Sequence, residues 1–503
     1  MSAKGLYRFV IVGAGFGGLS VARELKKRNI DDFIILDRNT EAGGVWKENI
    51  YPGVECDIHS HLYSFNEFRN PNWSKEFASG SEIQTYLAQY ARHFDIERHI
   101  QFGETVKSAT YDEKSCSWEI KTDRGNYKSQ FFVSAIGQQN SPKTPDIPGL
   151  KKFKGTHFHS ARWNSKCNLK GKRVALVGSA ASAVQIAPEV AETAAKLFIF
   201  QRTPSWVIPK PNREIPVEER KSYASSPELM ETKRQGIKSF WEGFYSNLFL
   251  GSKENLEAEA KSREFMTGQV TNPALREKLI PKYPFLTKRV ILSNTYLATF
   301  NRSNVELVTE KIESVGATSI TDSAGNRHDV DVIIFATGFN STHFLSTIDV
   351  RGRGGKNIQQ VWRNGLDAEA YLGTFVSGFP NMFVMFGPNT GVGGTSMTLM
   401  LEAQARLVGK CLDKVQALNL RSVEVKATIQ DKFNKELHAF MKQIVWSSDK
   451  ADSWFKTSEG KVTTKWPHQT EVFEKLTAEF KLSDYETEKN GNVSSTSVSL
   501  KAS

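Results

Sequence analysis

The sequence predicts an α/β protein made of two Rossmann-like dinucleotide-binding domains with an inserted helical subdomain. Three observations carry this reading. A strand, a Gly-rich turn, a helix, a second strand and an acidic residue follow one another between Tyr7 and Asp37. The same order restarts at Lys172. A charged stretch without strand runs, Ser205 to Leu286, then interrupts the second unit. Strands that alternate with helical patterns predict parallel sheets.

Composition sets the limits. At 503 residues, roughly three domains of ~150 residues are expected. Hydrophobic residues at 39% and charged residues at 24%, with 36 Gly and 17 Pro, exclude collagen-like and disordered chains. The net charge of +11 favours anionic ligands, including phosphate-bearing cofactors. No basic block accounts for the excess, so nucleic acid is not an expected partner. Cys56, Cys116, Cys167 and Cys411 are too few and too scattered for a disulfide framework or a zinc cluster. No two stand close in sequence, which disfavours a dithiol–disulfide flavoreductase. No signal peptide and no run of ~18 apolar residues is found, so a cytoplasmic protein without a transmembrane segment is expected.

The first element is the β-rich run Tyr7 to Val12, which leads into Gly13-Ala14-Gly15-Phe16-Gly17-Gly18. Gly13 permits the tight turn, Gly15 lets the backbone approach a pyrophosphate, and Gly18 allows close helix–strand packing. Leu19, Ala22 and Leu25 then share one helical face, with Arg23, Lys26 and Lys27 opposite. The amides at this helix start would meet phosphate. The run Phe33 to Leu36 ends in Asp37, placed to hold a ribose hydroxyl.

Ser81 to Phe94 reads as a helix with Ile83, Tyr86, Leu87, Tyr90, Ala91 and Phe94 on one face, and with Ser81 and Gln84 as a capping box. Thr105 to Ile136 reads as short strands around an Arg124-Gly125-Asn126 turn. Lys172 to Val177 is the next strand. It is followed by a degenerate turn, Gly178-x-Ala180-x-x-Ala183, and a helix to about Glu192. Lys196 to Phe200 ends at Gln201-Arg202-Thr203. No acid stands there, and an Arg accommodates the 2′-phosphate of NADP. Strand patterning resumes at Val305 and culminates in Asp331 to Gly338. Met382 to Phe386 runs into Gly387-Pro388-Asn389-Thr390-Gly391, and a helix is expected from about Ser396. From Asp484 the Ser, Asn, Lys and Glu content predicts a disordered tail.

Asp57-x-His59-x-His61 invites a metal reading. No further ligand cluster supports it, and no metal is expected.

The segment Gly43-Gly44-Val45-Trp46 with Tyr51-Pro52-Gly53 and Asp57, and the spacing Phe153, Gly155, His159, Trp163, resemble signatures of the flavin-dependent Baeyer–Villiger monooxygenases, within the wider flavin-containing monooxygenase superfamily. Phe335-Ala336-Thr337-Gly338 and the Gly387-Pro388-Asn389 turn match as well. The fingerprint departs at its last position, where Asn164 replaces Pro or Asp. The resemblance covers about Tyr7 to Phe480.

It implies an FAD-binding domain at 1–138 and 372–483, an NADP-binding domain at 139–204 and 287–371, a helical insert at 205–286 and a tail at 484–503. Gly13, Gly15, Phe16, Gly18, Asp37, Val45, Trp46, Asp57, Tyr63 and Val106 would contact FAD. Gly178, Ser179, Ala180, Ala181, Ser182, Ala183, Val184 and Gln185, with Arg202 and Thr203, would contact NADP. Lys288 would assist the 2′-phosphate. Arg289 would be catalytic, positioned by Asp57, while His159 would act at the domain linker. The implied reaction uses NADPH and O2 and passes through a C4a-peroxyflavin to turn a ketone into an ester or lactone. Sulfur or nitrogen oxygenation is the alternative that Asn164 leaves open, and a non-enzymatic nucleotide-binding protein is a third reading. The helical insert and Gly391-Val392-Gly393-Gly394 are candidates for the pocket wall.

Overall fold

A computed structural model describes residues 3–490. The first sheet is centred on the strand Ala3–Val12. Phe33–Asp37 and then Ile100–Phe102 lie to one side and Asn126–Ser134 to the other, all parallel. The sheet continues antiparallel through Ser117–Thr122 and Val106–Asp112. Met382–Val384 runs parallel to the end of Asn126–Ser134. Phe9, Val10 and Ile11 are fully buried. Such a continuous apolar run is what a strand covered on both faces requires. The helices Phe16–Lys27, Gly80–His93 and Met397–Ala417 cover one face. A cluster around Trp118, Trp362 and Phe379 fills the other.

The second sheet is wholly parallel, in the order Val305–Val308, Lys196–Phe200, Arg173–Val177, Val332–Phe335 and Thr156–His159. The helix Ala181–Thr193 packs on one side. The antiparallel strands Ile312–Val315, Ser319–Asp322 and Arg327–Asp329 back the other.

The two units repeat one steric device. Gly13 has φ +107°, and a Cβ there would stand 2.5 Å from the carbonyl oxygen of Ala135. Gly178 has φ +125°, and its Cβ would stand 2.4 Å from that of Ala336. Each glycine therefore lets its turn rest directly on the end of a neighbouring parallel strand.

The stretch after Ser205 folds into helices, chiefly Val217–Ser225, Pro227–Glu242, Lys253–Gln269 and Pro273–Leu279. Ser226, Ser252 and Asn272 cap the last three. The insert is not free of strand. Val207–Ile208 pairs in parallel with Ile291–Leu292, which fixes the chain just beyond Arg289.

Three expectations need correction. The Gly80–His93 helix is capped by Ser79, which accepts from the Glu82 amide at 3.3 Å, so the start lies earlier than the Ser81–Gln84 pattern indicates. Gln84 cannot serve the cap because its amide donates to the Ala42 carbonyl. Next, Asp349–Arg351 pairs with Val106–Asp112, so the chain returns to the first sheet well before residue 372. A three-residue edge strand is too short to show a period in sequence. Finally, Tyr485–Lys489 is no disordered tail but a strand antiparallel to Leu420–Val425. Tyr485 is buried against Phe375 and Phe480, so one aromatic anchors an otherwise charged segment. The rest of that expected tail, 491–503, lies outside the described residues. Among the described residues no helix is long and apolar enough to cross a membrane.

Candidate active site

One cavity of about 890 Å³ runs between the two glycine turns. Gly13, Gly15, Phe16, Asp37, Val45, Trp46, Asp57, Tyr63 and Val106 line its first half. Ala181, Ser182, Gln185, Lys288 and Arg289 line the second. Gly18 is buried beneath the first turn. Ala183 and Val184 face the core of the second unit. Gly178, Ser179, Ala180, Arg202 and Thr203 surround the second turn without lining the cavity.

Both turns suit diphosphates. The helices that start at Phe16 and Ala181 have neither a side-chain cap nor an acid in the first turn. Their leading amides are left for an anion. Gly15 and Gly44 meet so closely that a Cβ on Gly15 would lie 3.3 Å from the Gly44 Cα, which keeps that wall bare backbone. Asp37 accepts from the Ala14 amide at 2.6 Å and the Asn39 amide at 2.7 Å, which fixes its carboxylate at the strand end. Burial raises its pKa, against those hydrogen bonds.

At the second turn, Ser179 donates to the Thr203 carbonyl at 2.8 Å and so ties the turn to the end of the neighbouring strand. Arg202 is exposed there. Burial lowers the Lys288 pKa, and the charge of Arg202 lowers it further. The two cations could hold a phosphate between them.

The centre of the cavity holds Asp57 and Arg289. Arg289 Nε donates to Asp57 Oδ2 at 3.0 Å, and Nη2 donates to the same oxygen. The side chains keep 37% and 27% of their accessible surface, for Arg289 and Asp57 respectively, so the pair faces open cavity and not packed protein. Burial opposes the Asp57 carboxylate, but Arg289 outweighs it and lowers the pKa. Asp57 in turn raises the pKa of Arg289. Beside them Tyr63 meets Phe16 and Trp46 edge to face, and burial pushes the Cys56 thiol up to about 12. That thiol is inert packing.

The segment that carries Asp57 is tied down through Glu55, two residues before it. Glu55 pairs with Lys210 at 2.7 Å, from the insert. Its carbonyl accepts from Gln185 Nε2 at 2.9 Å, and Gln185 Oε1 accepts from Tyr51 at 3.0 Å. Gln185 is thus a clamp between the two units, with both ends of its amide engaged by protein. His59 and His61 do not join Asp57 as ligands. The segment is a series of turns, in which His59 accepts from Trp241 and His61 packs on Tyr223.

His159 sits away from the cavity. Its Nε2 donates to the Gly338 carbonyl at 3.0 Å, while Nδ1 accepts from the Ala161 amide, so it fastens the linker segments. Asn164 accepts from the Lys166 amide through its side chain. An Asp would make the same local turn. The departure from the fingerprint therefore does not reach the reaction centre.

The insert forms the far wall with Phe240, Trp241, Phe244, Tyr245, Leu248 and Phe265, facing Val392, Gly393 and Gly394. Lys465 also lines the cavity and had no signature in sequence.

The model for the flavin-binding monooxygenase-like family matches residues 7–217. A Baeyer–Villiger monooxygenase of Streptomyces coelicolor is 35% identical over 480 residues, which are 95% of this chain and 92% of that one. The crystal structure of cyclohexanone monooxygenase from Rhodococcus sp. Phi1 bound to NADP+ superposes with a TM-score of 0.88 at 25% identity, covering 97% of this chain and all of that one. The OTEMO structure in complex with FAD and NADP gives 0.86 at 27% identity, with coverage of 97% and 100%.

Proposed function

The chain belongs to the Baeyer–Villiger monooxygenases of the flavin-binding monooxygenase-like family and is an FAD- and NADPH-dependent monooxygenase; we propose that it oxidises an apolar ketone to an ester or lactone at the Asp57–Arg289 pair. The observation that carries the proposal is this pair, set in a cavity that runs from the first glycine turn to the helix start at Ala181 and Ser182. FAD, when bound, would supply the redox chemistry that links NADPH to dioxygen.

The chain's own residues do the rest. The first turn, with Asp37, holds FAD; the second, with Arg202 and Lys288, holds NADPH and selects its 2′-phosphate. Arg289 keeps a fixed positive charge where negative charge develops on oxygen. A guanidinium suits this because it stays protonated at any working pH. Asp57 orients it through one carboxylate oxygen and leaves Nη1 outside that bond. Preorganised charge is most effective where water is excluded, and the aromatic side chains of the insert supply that shielding. The four free cysteines suit a reducing, cytoplasmic setting.

The test is a panel of ketones and sulfides with purified protein, NADPH and air, with products identified by mass. Esters or lactones from ketones are expected. Sulfoxides alone would reassign the enzyme to heteroatom oxygenation.

A further inference from the structure

Lys465 is an ammonium without a counter-charge in the wall of the reaction cavity. The residue is 8% exposed. Its Nζ donates to the Val392 carbonyl at 2.8 Å and stands 4.3 Å from the ring centre of Phe455 and 5.2 Å from that of Trp454. Its backbone is pinned as well, because the Asn389 side chain donates to its carbonyl. Among the described residues no carboxylate pairs with it. The one nearby acid that bears on it, Asp57, is taken by Arg289.

An ammonium has three protons to donate, and the structure uses one in a hydrogen bond. Aromatic faces compensate part of the buried charge, but not with an oxygen acceptor. Leaving a charge so placed is costly unless something completes its shell. Burial and the neighbouring Arg289 accordingly lower its pKa to about 7, so at neutral pH the side chain is charged only in part and a bound carboxylate would restore the full ammonium. The surrounding wall is apolar, with Leu248, Leu286, Val392 and Trp446 on the same cavity. The chamber therefore combines room for an apolar body with one cationic anchor.

We propose that Lys465 binds a carboxylate on the substrate, so that the preferred acceptor is an apolar keto acid anchored at Lys465 while its carbonyl meets Arg289. This rests on the ketone-oxidising reading above. The anchor fixes which end of the substrate points inward, a specificity role distinct from the chemistry at Arg289.

Three matched substrates test it with the holoenzyme: a medium-chain methyl ketone ending in a carboxylate, its methyl ester, and the plain methyl ketone of equal length. Wild type should favour the acid over the ester by about ten- to a hundredfold in kcat/KM, the range of one charge-assisted hydrogen bond. The preference should lie in KM. Lys465→Met should bring the acid-to-ester ratio close to one, and Lys465→Arg should restore part of it, with flavin content confirming the fold. The proposal is overturned if wild type favours the ester, if Lys465→Met leaves the ratio unchanged, or if the loss falls on the KM for NADPH. Should Lys465→Met not fold, the wild-type ratio and Lys465→Arg decide. Turnover of the plain ketone without preference for the acid overturns only the Lys465 assignment. No ester from any of the three overturns the ketone reading and this one with it.

Discussion

Asp57 and Arg289, 232 residues apart in the chain, share a single carboxylate oxygen: Asp57 Oδ2 accepts from both Nε and Nη2 of the guanidinium. The pair joins the first unit to the segment that leaves the insert. One nitrogen, Nη1, takes no part in it. That geometry holds the cation in place without spending all of its donors.

Arg289→Ala should keep flavin but lose oxygenated product. Removing one preorganised stabiliser of developing charge typically costs about 10²–10³ in rate. NADPH should still be consumed slowly, with oxygen released as hydrogen peroxide. Arg289→Lys should recover little, because an ammonium lacks the planar fork that meets Asp57. Asp57→Ala should be milder. The measurement is product formed per NADPH oxidised, and near-normal yield from Arg289→Ala would refute the assignment.

Arg202→Ala should lower kcat/KM for NADPH by roughly ten- to a hundredfold while sparing NADH, since a hydrogen bond to a charged group is worth ~1.5–3 kcal/mol. Lys288→Ala should act in the same direction. Equal losses with both nucleotides would show that these cations do not read the 2′-phosphate.

Gly13→Ala should fold poorly and purify without flavin. The new Cβ would meet the Ala135 carbonyl at 2.5 Å in a backbone conformation with φ +107°. Strain of this kind costs of order 1–3 kcal/mol before the clash is counted. The ratio of flavin to protein absorbance, together with Tm, reads the outcome. Full flavin content would mean that the turn is more pliant than its packing indicates.

Acid should destabilise the fold through His59 and His61. Burial lowers both to about 4, against 6.5 in an unfolded chain. The native state therefore holds them neutral. Stability is full above pH 6.5 and is lost as pH falls toward 4, by about 1.4 kcal/mol per pH unit for each histidine. Nε2 of His61 is buried without a hydrogen-bond partner, so His61→Phe should flatten that slope by one proton. Calorimetric Tm across this range tests it, and an unaltered slope would remove His61 from the account.

The first glycine turn was legible because every part of its mechanism lies within one short stretch, from Tyr7 to Asp37. The second was half legible: its alanines hide the motif, but Gly178 keeps the one position where a side chain would strike a carbonyl. Asp57 with Arg289 could be paired only through the family resemblance, since no local pattern links residues so far apart. Lys465 had no signal at all, because its cage comes from Phe455 and Trp454 and its acceptor from the loop at Val392. Gln185 was expected to touch cofactor, and its clamping of Tyr51 and Glu55 depends on a docking that no single segment encodes. The strand at Tyr485 was missed because charge dominates its composition while one aromatic decides its place.

The contact at Gly53 bears on how such enzymes can be recombined. A Cβ there would lie 2.6 Å from the Gln185 carbonyl, so the first unit touches the second backbone to backbone, next to the segment that carries Asp57. Chimaeras that exchange one nucleotide-binding unit between relatives must then inherit residues 51–57 and 181–185 from the same parent. Crossovers that separate them should yield proteins that bind each nucleotide yet waste NADPH, and coupled hybrids from such crossovers would show that the contact tolerates exchange.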